Sequence, residues 1–257
     1  MTRFALRLEY DGAGFVGWQR QAAGISVQQV LEDAAARLEG SPVASIVAGR
    51  TDAGVHALGQ VAHLDLTRDI APDALARALN FHMKPHRVVV TASAIVPAEW
   101  SARLSAVRRV YRYIILNRWA RPALQAGQVW HVPTPLDAAA MAEGARHLLG
   151  KHDFTSFRAT SCQAKSPLRT LDVLDVAREG ERIVIRAEAR SFLHHQVRNM
   201  VGTLKLVGEG RWQPARMAAA LGAANRAAAG PTAPAEGLFL MRVDYGSNLF
   251  QKEELLF

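Results

Sequence analysis

The chain has 257 residues, 31 basic and 23 acidic side chains for a formal net charge of +8, and 49% hydrophobic residues. This length suits one large domain or two ordinary ones, and the apolar share builds a core without disulfides or a structural metal. The single cysteine, Cys162, excludes an intrachain disulfide, and no Cys/His set has zinc-ligand spacing, which fits a reducing cytoplasm.

In chain order, Phe4, Leu6, Leu8 and Tyr10 alternate, so Arg3–Tyr10 is expected to be a strand rather than the charged start and apolar run of a signal peptide. A Gly-rich connection follows. Ser26 with Gln29 forms a capping box, and Val27, Val30, Leu31, Ala34, Ala35 and Leu38 make one apolar helical face. Val43–Ala48 is a β-branched run, Arg50–His56 a loop, and Gln60–Leu66 a second alternating strand. A helix over Pro72–Phe81, with proline in its first turn, leads to a strand over Arg87–Val96. This β-α-β-β-α-β order predicts a split α+β arrangement.

The pattern loosens around Pro97–Arg103, which divides the chain into domains at 1–104 and 105–257. The second half predicts a strand at Val107–Leu116 and a helix at Asp137–Leu149 capped by Asp137. Strands at Leu171–Arg178 and Arg182–Ala189 flank a turn, helices span Ser191–Val207 and Pro214–Gly222, and a strand covers Leu238–Val243. No apolar stretch reaches the roughly 18 residues of a membrane span.

The positive charge favours a polyanionic partner, because each neutralised phosphate releases counterions. An Arg-, Ala- and Gly-rich composition of the kind a GC-rich genome produces would give the same excess without any ligand. Gly12-x-Gly14-x-x-Gly17 imitates a dinucleotide fingerprint. The helix starts too late for that reading, and Glu32 and Asp33 lie inside it rather than after a second strand, so no nucleotide cofactor is expected. The glycines instead let the backbone turn tightly. His194 and His195, taken as part of a regular helix, point about 100° apart and cannot share one metal, so no metal is expected. Neither Cys162 nor any serine has a nucleophile-activating pattern around it.

The sharpest local signal is Ala48-Gly49-Arg50-Thr51-Asp52-Ala53-Gly54-Val55-His56, on a loop bounded by glycines. By chemistry alone Arg50 and Asp52 could be a local ion pair, and Thr51 and Asp52 ordinary turn formers. With Gly59-Gln60-Val61, however, the run resembles the signature loop of the tRNA pseudouridine synthase A family. Glu9–Gly12 with Gly17–Gln21, Tyr111-Arg112-Tyr113, Asp153–Phe157, His194–Gly202 and Ala235–Leu238 resemble further family segments in the same order.

The resemblance implies isomerisation of uridine to pseudouridine at positions 38, 39 and 40 of the tRNA anticodon stem-loop, by a homodimer with no cofactor. It implies a pseudouridine synthase fold: two ferredoxin-like α+β halves sharing a mixed, largely antiparallel sheet around a central cleft. Asp52 then matches the catalytic aspartate, Tyr111 the tyrosine packed on the target base, and Arg198 the basic partner of the carboxylate. Leu238 matches an apolar pocket residue, while Arg50 and Arg20 fall in segments that would contact the substrate. The chain departs from the family pattern at Trp100 and Ser101, and Val110 interrupts the basic run before Tyr111. The competing readings are a catalytically silent tRNA-binding protein and a synthase acting on other RNA sites.

The chemistry suits these residue types. Pseudouridine formation breaks the N1–C1′ bond, turns the detached uracil and rejoins it through C5, with no energy input or redox change. It calls for a carboxylate that attacks carbon or assists uracil departure. An aspartate, with a reference pKa of about 3.9, is already ionised at neutral pH. Arg198 would therefore offset desolvation and aim Asp52 rather than create its charge. Extruding a base costs a few kcal/mol, and stacking on an aromatic such as Tyr111 returns about 1–3 kcal/mol.

Overall fold

The computed structural model describes residues 1–250. These gather into two compact units, one formed by Met1–Arg108 with the segment from Leu240 onward, the other by Arg109–Phe239. The chain passes between units twice, where the sequence reading placed a single boundary at 104/105.

The first unit runs β1 (Thr2–Tyr10), α1 (Val27–Glu39), β2 (Ser45–Val47), β3 (His56–Leu66), α2 (Pro72–His82) and β4 (Val88–Val96), the order expected from periodicity. β1 lies antiparallel between β3 and β4, with Phe4 opposite Leu64 on one side and Ile95 on the other. β2 pairs with β3, and the final strand β10 (Leu238–Tyr245) is the next neighbour of β3. Phe4, Leu6, Leu8, Leu31, Leu64, Leu75 and Leu79 are wholly buried, so the alternating strand residues and the helical stripes supply the same core.

Ser26 caps α1 as predicted, its hydroxyl accepting from Gln29 N at 3.1 Å, and Gly40 ends the helix in the left-handed conformation. α2 has proline in its first turn but no side-chain cap. Asn80 fixes it to β4 instead, giving its amide to Val90 O and accepting from Val90 N.

Trp100, one of the departures from the family pattern, packs at 5.0 Å from Tyr245 and edge-on at 5.8 Å from His63. His63 Nδ1 accepts from Ala102 N at 3.0 Å, and burial lowers the pKa of that ring. Trp100 thus has a packing role inside the first unit.

In the second unit, β5 (Ala106–Leu116) pairs antiparallel with β9 (Arg182–Ala189), β9 with β8 (Leu168–Glu179), and β8 with β7 (Gly150–Asp153). Short β6 (Trp130–His131) runs parallel to the end of β5. The helices are α3 (Ala138–Arg146), α4 (Gln196–Gly208) and α5 (Arg216–Gly222). Asp137 caps α3, accepting from Ala139 N and Ala140 N. Both units mix strands with helices, the α+β class expected.

One sequence expectation fails here. The helix read from Ser191 begins only at Gln196, because His195 has φ 62°, a left-handed conformation that breaks the run. The Gln196 side chain turns back to accept from Leu193 N at 2.8 Å, closing a turn ahead of the helix. His194 and His195 therefore precede α4 with ring centroids 4.0 Å apart, and the 100° helical argument against a shared ligand does not apply to them.

Candidate active site

Asp52 sits half-buried on the loop between β2 and β3. A polar cluster behind the loop sets its shape. Tyr10, at the end of β1, places its hydroxyl 2.8 Å from Thr51 Oγ1. Gln60 of β3 donates through Nε2 to Gly49 O at 2.8 Å and to the Tyr10 hydroxyl at 3.2 Å. Tyr10, Thr51 and Gln60 are all buried. Burial pushes the Tyr10 pKa up to about 12 against the opposing pull of its bonds to Thr51 and Gln60, so the phenol stays neutral.

The glycines that imitate a nucleotide fingerprint explain the rest of the clamp. A Cβ on Gly12 would stand 2.2 Å from Val55 O, and one on Gly17, whose φ is +104°, would stand 2.7 Å from Thr51 O. The opening segment thus lies directly on the Asp52 loop, an approach only glycine permits. Trp18 N donates to Thr51 O at 3.0 Å, and Val55 N to Asp52 O at 3.1 Å.

Gly12 N donates to His56 Nδ1 at 3.0 Å. The acceptor state this requires is incompatible with Nδ1 also donating to Asp11, whose Oδ1 is 3.1 Å away. Asp11 has other donors, Ala13 N at 3.0 Å and Arg87 at 2.9 Å. Burial opposes ionisation of Asp11, yet the bonds from Ala13 N and Arg87 and the Arg87 charge hold its carboxyl below the usual range.

We expect Tyr10→Phe to cost about 1–3 kcal/mol, since the buried Thr51 hydroxyl and a Gln60 N–H lose a partner. Urea unfolding measures this, and Tyr10→Phe combined with Thr51→Val should cost less than the sum of the two. Wild-type stability in Tyr10→Phe would mean that the cluster does not hold the loop.

Arg50 is exposed on the same loop. Arg20 is engaged locally, 2.7 Å from Asp33 and 3.5 Å from Glu32, and the Asp33 hydrogen bond raises its pKa.

The remaining candidates belong to the second unit. Tyr111 lies buried on β5, edge-on to Phe192 at 5.2 Å and 89°. Arg198, in the first turns of α4, gives its Nε to Ala233 O at 2.8 Å, and Ala233 N returns a bond to Arg198 O at 3.1 Å. This pair ties α4 to the segment before β10. Gly202 allows the approach: a Cβ there would be 1.8 Å from Pro231 O.

Leu238, buried at the start of β10, follows Gly237, where a Cβ would be 2.7 Å from the Tyr113 ring. Tyr113 donates its hydroxyl to Pro234 O at 2.8 Å. Burial drives its pKa far up, against the influence of nearby Arg198. The segments Tyr111–Tyr113, His194–Gly202 and Ala235–Leu238, scattered in sequence, therefore meet around α4 and β5. Within the first unit, Glu9–Gly12, Gly17–Gln21 and Arg50–His56 meet around Asp52. Sequence reasoning quoted Tyr10, His56 and Gln60 within motifs but gave them no role. Their signal was a polar side chain on the core-facing side of a strand or at its end.

Two stretches of the chain, residues 8–103 and 145–246, match the model of the family described as tRNA pseudouridine synthase. The chain is 67% identical over 254 residues to the tRNA pseudouridine synthase A of Acidiphilium cryptum, covering 98% of this chain and 100% of that protein. It is 60% identical over 248 residues to the protein of that name from Paramagnetospirillum magneticum, covering 96% and 97%. The corresponding figures for Gluconobacter oxydans are 54% over 255 residues, 98% and 93%. A nucleic-acid-modifying enzyme is the class that the match and the basic α+β chain define. The chain belongs to the tRNA pseudouridine synthase family. It is an isomerase that converts uridine in tRNA to pseudouridine. Among the described residues no helix is long and apolar enough to cross a membrane.

Proposed function

We propose that this enzyme modifies uridines 38, 39 and 40 of the tRNA anticodon stem-loop, with Asp52 as the catalytic carboxylate. The observation that carries the reading is the clamp around Asp52. Tyr10, Gly12, Gly17, Thr51 and Gln60, from three parts of the chain, converge to fix one short loop. Such a construction suits an acid that must meet a target carbon in a defined orientation.

Tyr111 stacks on the extruded uracil. Arg198, anchored through Nε to Ala233 O, supports the carboxylate electrostatically. Leu238 offers an apolar wall to the base. Arg50 serves the substrate backbone, and Arg20, although paired with Asp33 and Glu32, lies where an RNA phosphate can compete for it. The protein works as a homodimer in the cytoplasm, without a cofactor.

Incubating unmodified tRNA with the wild-type protein and mapping pseudouridine by site-specific chemical derivatisation should show the product at positions 38–40. Modification confined to other uridines would overturn the positional assignment. Binding with no modification at all would favour the silent binder.

A further inference from the structure

A cavity of about 180 Å³ in the second unit is lined by Lys151, Leu168, Arg169, Thr170, Arg190 and Ser191. It follows from strand register. Lys151 of β7 stands opposite Thr170 of β8, and Leu171 stands opposite Ala189 of β9, so Arg190 continues the same level one residue past β9. Neighbouring strands are about 4.8 Å apart, so the basic side chains on either side of Thr170 are within reach of a single small anion.

Arg169 completes the set. Its NH1 group donates to Ser166 O at 3.0 Å and Leu168 O at 2.6 Å, which fixes the guanidinium. Its Nε is buried and has no hydrogen-bond partner among the described residues. Burial lowers the pKa of this guanidinium, a cost that a bound anion would relieve.

Among the described residues no carboxylate lines the cavity. The nearest acid along β7, Asp153, accepts from Thr155 N at 2.7 Å. Thr170 and Ser191 add hydroxyl donors, so the site offers three cations and two neutral donors to a group rich in acceptor oxygens. Most of the lining residues are exposed, leaving room for an anion that continues as a chain on both sides.

We infer that this cavity is a phosphate subsite, seating a backbone phosphodiester of the tRNA away from the target nucleotide. The inference rests on the reading that the chain acts on tRNA. Guanidinium forks and an ammonium are the usual partners of phosphodiester oxygens. Neutralising one phosphate contributes about one unit to the slope of log affinity against log salt.

The test measures tRNA affinity between about 50 and 200 mM salt for Lys151→Gln, Arg190→Gln and the double variant. Each single change should lower the slope, and the double variant should lower it by about one in all, the contribution of the one phosphate seated there. Arg37→Gln, the same charge change on the exposed side of α1, serves as the comparison and should leave the slope in place. A parallel titration with inorganic phosphate separates a free-ion site from a tRNA subsite.

Unchanged slopes in the cavity variants would overturn the inference, as would an equal fall in Arg37→Gln. So would binding of inorganic phosphate, lost in the double variant, with no change in the tRNA slope. The pseudouridine map of the wild-type protein judges the activity independently of these slopes.

Discussion

Asp52→Asn is expected to lower the rate of pseudouridine formation by at least about 10³-fold while the protein still folds and still binds tRNA. The amide keeps the shape of the carboxylate but cannot serve as an anionic nucleophile or base. The loop has abundant support from other groups: Thr51 is held through its hydroxyl and its carbonyl, Gly49 through Gln60, and Asp52 O through Val55 N. Nucleoside analysis of digested tRNA measures turnover, and thermal unfolding by circular dichroism measures the fold. Modification at the wild-type rate would remove Asp52 from its role. Loss of rate together with loss of the folded signal would give the carboxylate a structural role instead.

The largest stability effect is expected from Gly202→Ala. Its Cβ would be 1.8 Å from Pro231 O, 2.9 Å from Pro231 C and 3.0 Å from Ala233 N, all backbone atoms that cannot rotate aside. The segment would have to withdraw from α4. That movement strains the bonds from Gly230 N to Thr203 Oγ1, from Thr232 Oγ1 to Asn199 Oδ1, and between Arg198 and Ala233. We expect a loss of about 3 kcal/mol or more, at the upper end of overpacking.

Gly222→Ala is the matched comparison, because its Cβ would meet nothing within 4 Å. A helical alanine there should be neutral or stabilising by up to about 1 kcal/mol. Urea unfolding of both variants decides the matter, and equal stabilities would show that α4 and the following segment yield to each other freely. Because Arg198 is anchored on the displaced segment, Gly202→Ala should also lose activity.

The regular parts of the fold were legible because their burial is one-sided. The alternation in β1 and the capped apolar stripe of α1 needed only local information. β6 and β7, with two and four residues, are too short for any period to register. The start of α4 was misplaced because the break lies in one backbone angle at His195, a residue type with no strong aversion to the helical region.

Asp52, Tyr111, Arg198 and Leu238 were visible only through resemblance. Composition gives no reason to separate one aspartate from the other acids. The clamp was hidden for another reason. Tyr10 and Gln60 are 50 positions apart and meet only when β1 pairs with β3. Glycines 12 and 17 spoke in sequence of tight turning, whereas their main constraint is the nearness of a second backbone.

That nearness bears on biosynthesis. An emerging polypeptide that has reached only the acid at position 52 contains that loop without its mould, since Gln60 and the partner residues of β1 up to Leu66 are still to be made. The shape of this loop therefore comes with long-range strand pairing and not before.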